Sequence, residues 1–151
     1  MREVVIVDAV RTPVGRRNGA LSSMHSADLL AVPLKALFDR TGMDPAEVGQ
    51  VIGGCVSQIG QQAFNITRTA WLTAGLPLEV AATTVDTQCG SSQQAVDIAY
   101  ALIAAGVIDS AVAGGVEVMS KVPIGSNVAK GLDMGSPIPK SYFPQYEYTS
   151  Q

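Results

Sequence analysis

Apolar residues along this chain fall into two alternating patterns: short continuous runs, and longer stretches in which they recur at helical spacing. The short runs are rich in β-branched residues and predict buried strands over residues 4–10, 51–56, 82–85 and 110–114. The longer stretches predict helices over residues 27–40, 65–74 and 91–105. Strands that alternate with helices predict an α/β fold, with a mostly parallel sheet covered by helices on both faces.

Residues that begin or end helices support these boundaries. Ser26 is the predicted N-cap of the first helix, and Pro33 inside the pattern predicts a kink or a later start. Asp44 followed by Pro45 predicts a short helical turn before the second strand. Gly75 is placed where the second helix should end.

The regular pattern stops after Ser120. Glycines and prolines interrupt the rest of the chain at Gly125, Gly131, Gly135, Pro137, Pro139 and Pro144. An irregular segment of about thirty residues is uncommon in a compact domain unless it has a function. Its aromatic residues are predicted to pack this segment rather than to bind adenine; they are Tyr142, Phe143, Tyr146 and Tyr148.

Composition adds a prediction about the surface. Only 15% of the 151 residues are charged, whereas 47% are hydrophobic; a soluble domain typically has about 25% charged residues. We therefore expect other protein to cover part of the surface, as in a homodimer or homotetramer. The net charge of −3 and the absence of a basic stripe argue against a nucleic-acid partner.

Neither a membrane span nor a metal site is predicted. The longest apolar run, residues 98–108, is shorter than the roughly 20 residues that a span needs, and the start of the chain lacks the pattern of a signal peptide. Two cysteines make no disulfide framework and suit a reducing cytoplasm. With His25 as the sole histidine, the composition argues against zinc. Cys55, at the end of a strand, is predicted to pack in the core.

Cys89 is the candidate for chemistry. It lies between a predicted strand and a predicted helix, at the edge of a parallel sheet where α/β proteins bind ligands. The start of a helix favours a thiolate over a thiol, and the Cys89 amide could hold a developing oxyanion. Small neighbours, Gly90, Ser91 and Ser92, leave room for an acyl group. The alternative is a buried structural cysteine, since most free cysteines behave as small hydrophobes.

Four stretches resemble thiolases, in the same order as in that family. They are residues 7–15 (VDAVRTPVG) followed by 19–21 (GAL), residues 65–68 (NITR) followed by 74–77 (AGLP), residues 85–95 (VDTQCGSSQQA) and residues 113–120 (AGGVEVMS). The third resembles the family's nucleophile segment, so the resemblance implies that Cys89 is the nucleophile. It also implies thiolytic cleavage of 3-ketoacyl-CoA, or the reverse Claisen condensation, with CoA and acyl-CoA as substrates and no metal or bound cofactor.

The resemblance also divides the chain. Residues 1–120 are similar to the amino-terminal half of a two-half αβαβα fold, and residues 121–151 to the start of an irregular CoA-binding loop domain. The family's carboxy-terminal half supplies a histidine in a Gly-His-Pro segment and a second cysteine in a Cys-Gly-Gly segment. Neither segment occurs here, and His25 matches neither. We expect the 151 residues alone to be inactive.

Arginines present further alternatives. Arg68 is either an exposed helix residue or part of a subunit contact, and the resemblance favours the contact. Arg11, Arg16 and Arg17 are predicted to be solvated loop charges, with an acyl-CoA phosphate as the alternative partner.

The function itself has two competing hypotheses. A ketosynthase-type condensing enzyme shares the fold and the cysteine turn, although the residues around Cys89 favour a thiolase. A catalytically incomplete fragment would only fold and associate. Residues 122–125 resemble degradative thiolases, including those that act on steroid-derived substrates.

Overall fold

The computed structural model describes residues 2–128 and 131–139. Three strands form one sheet: β1 (Gln50–Gly54), β2 (Ala82–Val85) and β3 (Ala111–Gly115). Their order is β2-β1-β3, and β1 pairs in parallel with both neighbours, so β1 is the central strand. Three helices connect and cover them: α1 (Ser26–Thr41), α2 (Ile66–Thr73) and α3 (Ser91–Ala104).

Alternate residues of β1 enter two different cores. Val51 packs in a cluster with residues of α1 and α2, whereas Ile52 packs with Ala95 and Ala99 of α3. Because successive strand residues point to opposite faces, α1 and α2 cover one face of the sheet and α3 covers the other. The predicted α/β fold with a parallel sheet is therefore confirmed.

The packing of α1 on α2 centres on one tryptophan. Trp71 is fully buried, and its ring meets Phe38 edge to face with centroids 5.7 Å apart. Its indole N–H donates to the carbonyl of Pro77 at 2.7 Å, so the polar atom of this large side chain is satisfied. This contact holds the end of α2 against the segment that leads into β2.

Helix starts and ends agree closely with the sequence, with one correction. His25, not Ser26, is the N-cap of α1, because its Nδ1 accepts a hydrogen bond from the amide of Ala27 at 3.1 Å. Ser26 is instead the first, fully buried residue of the helix. Pro33 does not delay the start, since α1 runs through it. Asp44 caps the 3-10 turn Pro45–Glu47 as predicted.

The predicted strand over residues 4–10 is wrong, because no strand forms there. Val5, Ile6 and Val7 are 69%, 84% and 79% exposed. A strand needs hydrogen-bonded neighbours, and no strand of the described residues lies beside this segment. At the end of the segment, Val10 lines a cavity of about 190 Å³ together with residues 112–116 of β3 and the chain after it.

Several large apolar side chains are exposed on the described surface. Four of them are more than 80% exposed: Ile6, Val14, Phe64 and Ile124. They agree with the low share of charged residues, and coverage by other protein stays a prediction. After Ser120, the described residues contain a single 3-10 turn, Ser126–Val128, and no longer element. The aromatic residues Tyr142, Phe143, Tyr146 and Tyr148 lie outside the described residues.

Candidate active site

Cys89 lies in a five-residue turn, residues 86–90, that joins β2 to α3. The carboxylate of Asp86 accepts a hydrogen bond from the amide of Gln88 at 2.7 Å. The carbonyl of Gln88 accepts one from the amide of Ser91 at 3.0 Å and another from its hydroxyl at 2.5 Å. The turn is therefore fixed at both its ends by side chains that lie within or beside it.

The Ser91 hydroxyl completes this arrangement. Its oxygen accepts a hydrogen bond from the amide of Thr87 at 3.1 Å and lies 3.4 Å from an oxygen of Asp86. Ser91 is only 4% exposed, although it is the first residue of α3. Gln88 has a φ of 54°, in the left-handed region that residues with a side chain rarely adopt. The nucleophile candidate thus follows a residue with an uncommon backbone conformation.

The strand–turn–helix setting of Cys89 is as predicted, but its burial is not. We expect from the sequence a mostly buried Cys89 after a central strand, with its sulfur facing a cavity. Cys89 is exposed, and β2 is an edge strand. The physical reason is that β2 has only β1 as a neighbour, so no described element covers the outer side of the turn.

Two glycines let α3 begin directly against the sheet. A Cβ atom at Gly54 would lie 2.4 Å from the amide nitrogen of Ser92, and one at Gly115 would lie 2.3 Å from its hydroxyl oxygen. Any side chain at these ends of β1 and β3 would push away the start of the helix that follows Cys89. The paired glycines of residues 53–54 and 114–115 are the sequence signal for this close approach.

Some backbone amides in and just after the Cys89 turn have no hydrogen-bond acceptor. Among the described residues, the amides of Cys89 and Gln93 have no hydrogen-bond acceptor, whereas those of Gly90 and Ser91 donate within the turn. An unpaired amide on a candidate nucleophile could hold an oxyanion that forms when the sulfur attacks a carbonyl carbon.

Cys55, unlike the exposed Cys89, lies in the core. It is 1% exposed, and its amide donates to the carbonyl of Val85 at 3.1 Å. Burial raises the pKa of its thiol to about 12, and the neighbouring negative charge of Glu117 adds to that rise. A thiol with so high a pKa is a poor nucleophile. The predicted packing role of Cys55 agrees with this environment.

Glu117 and Gln62 form a polar cluster that sequence analysis missed. The Glu117 carboxylate accepts from the amides of Val56 and Ser57 at 2.8 and 3.3 Å, and from the Gln62 side-chain amide at 2.8 Å. The Gln62 carbonyl in turn accepts from the amide of Val118 at 2.8 Å. The cluster therefore joins the segments that follow β1 and β3. Gln62, in a run of polar residues, gives no sign in the sequence that it is fully buried.

Arg68 also has a role that the sequence did not reveal. Its guanidinium donates to the carbonyls of Val80 and Leu78, which lie just before β2. It therefore anchors the chain that enters the strand preceding Cys89, rather than being a freely exposed helix residue. The subunit contact favoured by the resemblance stays a prediction.

The loop arginines remain available to solvent. Arg11, Arg16 and Arg17 are exposed and border a wide groove with residues 117–120. Their predicted solvation agrees with this exposure, and contact with a phosphate stays the alternative. In residues 2–128 and 131–139, no group of three or more His, Cys, Asp or Glu side chains is arranged to hold a metal ion. No helix of the described residues is long and apolar enough to cross a membrane.

The fold defines an α/β domain with a cysteine in the turn between a strand and a helix, and sequence comparison identifies its family. Residues 4–143 match the family model of the thiolase amino-terminal domain. The chain belongs to the thiolase family, as the resemblance of its four stretches implies.

Three relatives illustrate the extent of the similarity. The chain is 49% identical to steroid 3-ketoacyl-CoA thiolase FadA6 of Mycobacterium tuberculosis over 97% of its own length and 36% of that relative. It is 47% identical to β-ketoadipyl-CoA thiolase of Pseudomonas aeruginosa, over 81% of the chain and 31% of the relative. It is 45% identical to 3-ketoacyl-CoA thiolase of Aliivibrio salmonicida, over 85% and 34%. The chain thus spans about a third of the length of these relatives.

Proposed function

We propose that Cys89 is the nucleophile of a thiolase that transfers an acyl group between 3-ketoacyl-CoA and CoA. The observation that carries the proposal is an exposed thiol beside an unpaired backbone amide, in the turn before α3 of a thiolase-family chain. Cys55, the other cysteine, is buried in the core. Cys89 is therefore the cysteine that an acyl-CoA can reach.

The reaction consists of two acyl transfers at the Cys89 sulfur. The thiolate attacks the keto carbon, C3, and the C2–C3 bond breaks, so that its electron pair leaves as the enolate of acetyl-CoA. The enolate takes a proton at C2. The thiol of a second CoA then loses its proton and attacks the acyl-Cys89 thioester, which releases the shortened acyl-CoA and restores the thiolate. Reversed, these steps are a Claisen condensation.

Both proton transfers need groups beyond those that the described residues place at Cys89. The Nδ1 atom of the sole histidine, His25, caps α1. The resemblance to thiolases implies that the histidine of a Gly-His-Pro segment assists the Cys89 thiolate and that the cysteine of a Cys-Gly-Gly segment protonates the enolate. Neither segment occurs in these 151 residues. General acid–base assistance is typically worth about 10²- to 10⁴-fold. We therefore propose that further polypeptide completes the site.

For the substrate, we propose a bulky, steroid-derived 3-ketoacyl-CoA. The similarity to the steroid 3-ketoacyl-CoA thiolase extends over 146 residues, whereas that to the β-ketoadipyl-CoA thiolase extends over 123. The longer match takes in more of the chain, and residues 122–125 resemble degradative members of the family. The test is a comparison of kcat/KM for steroid-derived 3-ketoacyl-CoA, β-ketoadipyl-CoA and acetoacetyl-CoA. A preference for β-ketoadipyl-CoA would contradict this choice.

Trapping of the acyl-enzyme tests the role of Cys89. The longest polypeptide that the gene encodes is mixed with 3-ketoacyl-CoA in the absence of free CoA, quenched in acid and digested. We expect mass spectrometry to find the acyl group on the peptide that contains Cys89, and to find it released when CoA is added before the quench. The Cys89→Ala variant is the matched control and should carry no acyl group. An adduct on Cys55, or none on either cysteine, would overturn the proposal.

A further inference from the structure

The backbone of Gln88 adopts a conformation that its own side chain does not favour. Its φ is 54°, which brings the Cβ atom of an ordinary residue close to its own backbone; glycine alone adopts this region without penalty. Gln88 is exposed and its side chain has no hydrogen bond within the described residues. The side chain therefore makes no hydrogen bond that offsets the cost of the positive φ. Other residues must hold the backbone in this conformation.

Two neighbouring side chains hold both sides of Gln88. On the amino side, the Asp86 carboxylate accepts the Gln88 amide at 2.7 Å. On the carboxyl side, the Gln88 carbonyl accepts both the amide and the hydroxyl of Ser91. Rotation of Gln88 to a negative φ would turn its N–H and C=O groups relative to each other and break at least one of these contacts. The buried Ser91 cannot follow, because α3 begins there against Gly54.

We infer that Asp86 and Ser91 are positioning residues that hold Gln88 in its left-handed conformation and thereby set the direction of the Cys89 thiol and amide. Neither residue touches the reacting atoms in this assignment; both act through the Gln88 backbone. The inference rests on the proposed role of Cys89 as nucleophile. Its consequence is that the acceptor oxygen of Asp86 matters and its negative charge does not.

A glycine at position 88 tests whether Asp86 and Ser91 act by holding a positive φ at that residue or only stabilise the fold. If the two side chains serve to impose a positive φ, a residue that adopts a positive φ freely should make them less necessary. Misplacement of a reacting group by about 1 Å can cost on the order of 10²-fold in rate. We therefore expect Asp86→Ala and Ser91→Ala each to lower kcat by roughly 10- to 100-fold, with a smaller change in KM.

The rescue variants give the decisive comparison. Gln88→Gly alone should keep kcat within about 3-fold of the parent. Combined with Asp86→Ala or Ser91→Ala, Gln88→Gly should raise kcat about 10-fold above that of the single alanine variant. Asp86→Asn, which keeps an acceptor oxygen but loses the charge, should behave like the parent. Gln88→Val, whose β-branched side chain resists a positive φ, should lower kcat by at least about 10-fold relative to Gln88→Gly.

The experiment measures kcat and KM for thiolysis on the longest polypeptide that the gene encodes, together with the rate at which iodoacetamide labels Cys89. Position 88 is exposed, so its variants test the inference even if Ser91→Ala fails to fold. Equal kcat for the glycine and valine variants, no rescue by Gln88→Gly, or an Asp86→Asn enzyme as slow as Asp86→Ala would each overturn the inference. A Cys89→Ala enzyme with normal turnover would instead overturn the proposed function itself.

Discussion

The two cysteines of this chain follow adjacent strands at the same edge of the sheet, yet their surroundings are opposite. Cys55 comes directly after β1, and Cys89 comes four residues after β2; the last residues of these strands, Gly54 and Val85, are paired neighbours. Cys55 is 1% exposed, whereas Cys89 is exposed. Proximity to a strand end is therefore not sufficient to make a reactive thiol.

The course of the chain after each strand produces the difference. After β1, the amides of Val56 and Ser57 turn to the Glu117 carboxylate, and the chain stays between β2 and β3 with Cys55 in the core. After β2, the chain leaves the sheet in a turn that Asp86 and Ser91 hold. The first arrangement removes a thiol from solvent, and the second leaves one exposed to it.

Replacement of each cysteine by alanine should give the largest difference in kcat between the two positions. Cys89→Ala should lower kcat by about 10⁴- to 10⁶-fold, because loss of a nucleophile from other acyl-transfer enzymes has effects of that order. Cys55→Ala, the matched control, should leave kcat within about 3-fold and reduce only stability, by about 1 kcal/mol. Thiolysis assays on both variants check this. Similar losses at the two positions would remove the functional distinction between the cysteines.

Alkylation of the native protein should show the next largest effect. With a pKa of about 12, only about one Cys55 thiol in 10⁴ is ionised at pH 8. Cys89, in contrast, is exposed and open to the reagent. We therefore expect iodoacetamide to modify Cys89 long before Cys55. Peptide mapping over time measures both rates, and unfolding in urea should abolish the difference; equal native rates would contradict the assignment.

Local pattern was sufficient to predict the elements that carry their own signals. β2 has the predicted bounds, β3 is displaced by one residue, and α2 begins after the predicted asparagine at position 65, which is its N-cap. Short β-branched runs and capping residues act over a few positions, so one sequence contains them. The turn that bears Cys89 was predicted for the same reason, since strand, turn and helix are contiguous.

Features that depend on distant partners were not predictable. Residues 4–10 have the composition of a strand but no paired neighbour in the described chain, and composition cannot supply one. The exposure of Cys89 depends on β2 being an edge strand, which is a matter of strand order. Glu117 is more than fifty residues from Gln62 and Val56, so its cluster becomes visible only when β1 and β3 are side by side.

A substitution at Glu117 should destabilise the surroundings of Cys55, the buried cysteine. Glu117→Gln replaces one acceptor oxygen by an NH₂ group that faces other donors, so we expect the free energy of unfolding to fall by about 1–3 kcal/mol. Loss of the negative charge should also lower the pKa of Cys55 and speed its alkylation. Glu79→Gln, at an exposed position before β2, is the control and should change stability by less than about 0.5 kcal/mol. Urea unfolding measures the free energy of unfolding of both variants. Equal decreases would show that the Glu117 cluster does not stabilise the sheet edge at which Cys55 lies.

The titration of Cys55 at alkaline pH should produce the smallest effect on stability. Its pKa is raised from 9.0 to about 12 in the folded protein, so the folded state keeps a proton that the unfolded state loses above pH 9. The resulting stabilisation is complete below pH 9 and is lost as pH rises from about 9 to 12. Between pH 8 and pH 10, the free energy of unfolding should therefore fall by about 1.4 kcal/mol more in the parent than in Cys55→Ala. The difference between the two proteins cancels the titration of tyrosines and lysines, which they share. Parallel urea curves at both pH values give this quantity, and an equal fall in parent and variant would mean that burial does not hold the Cys55 proton.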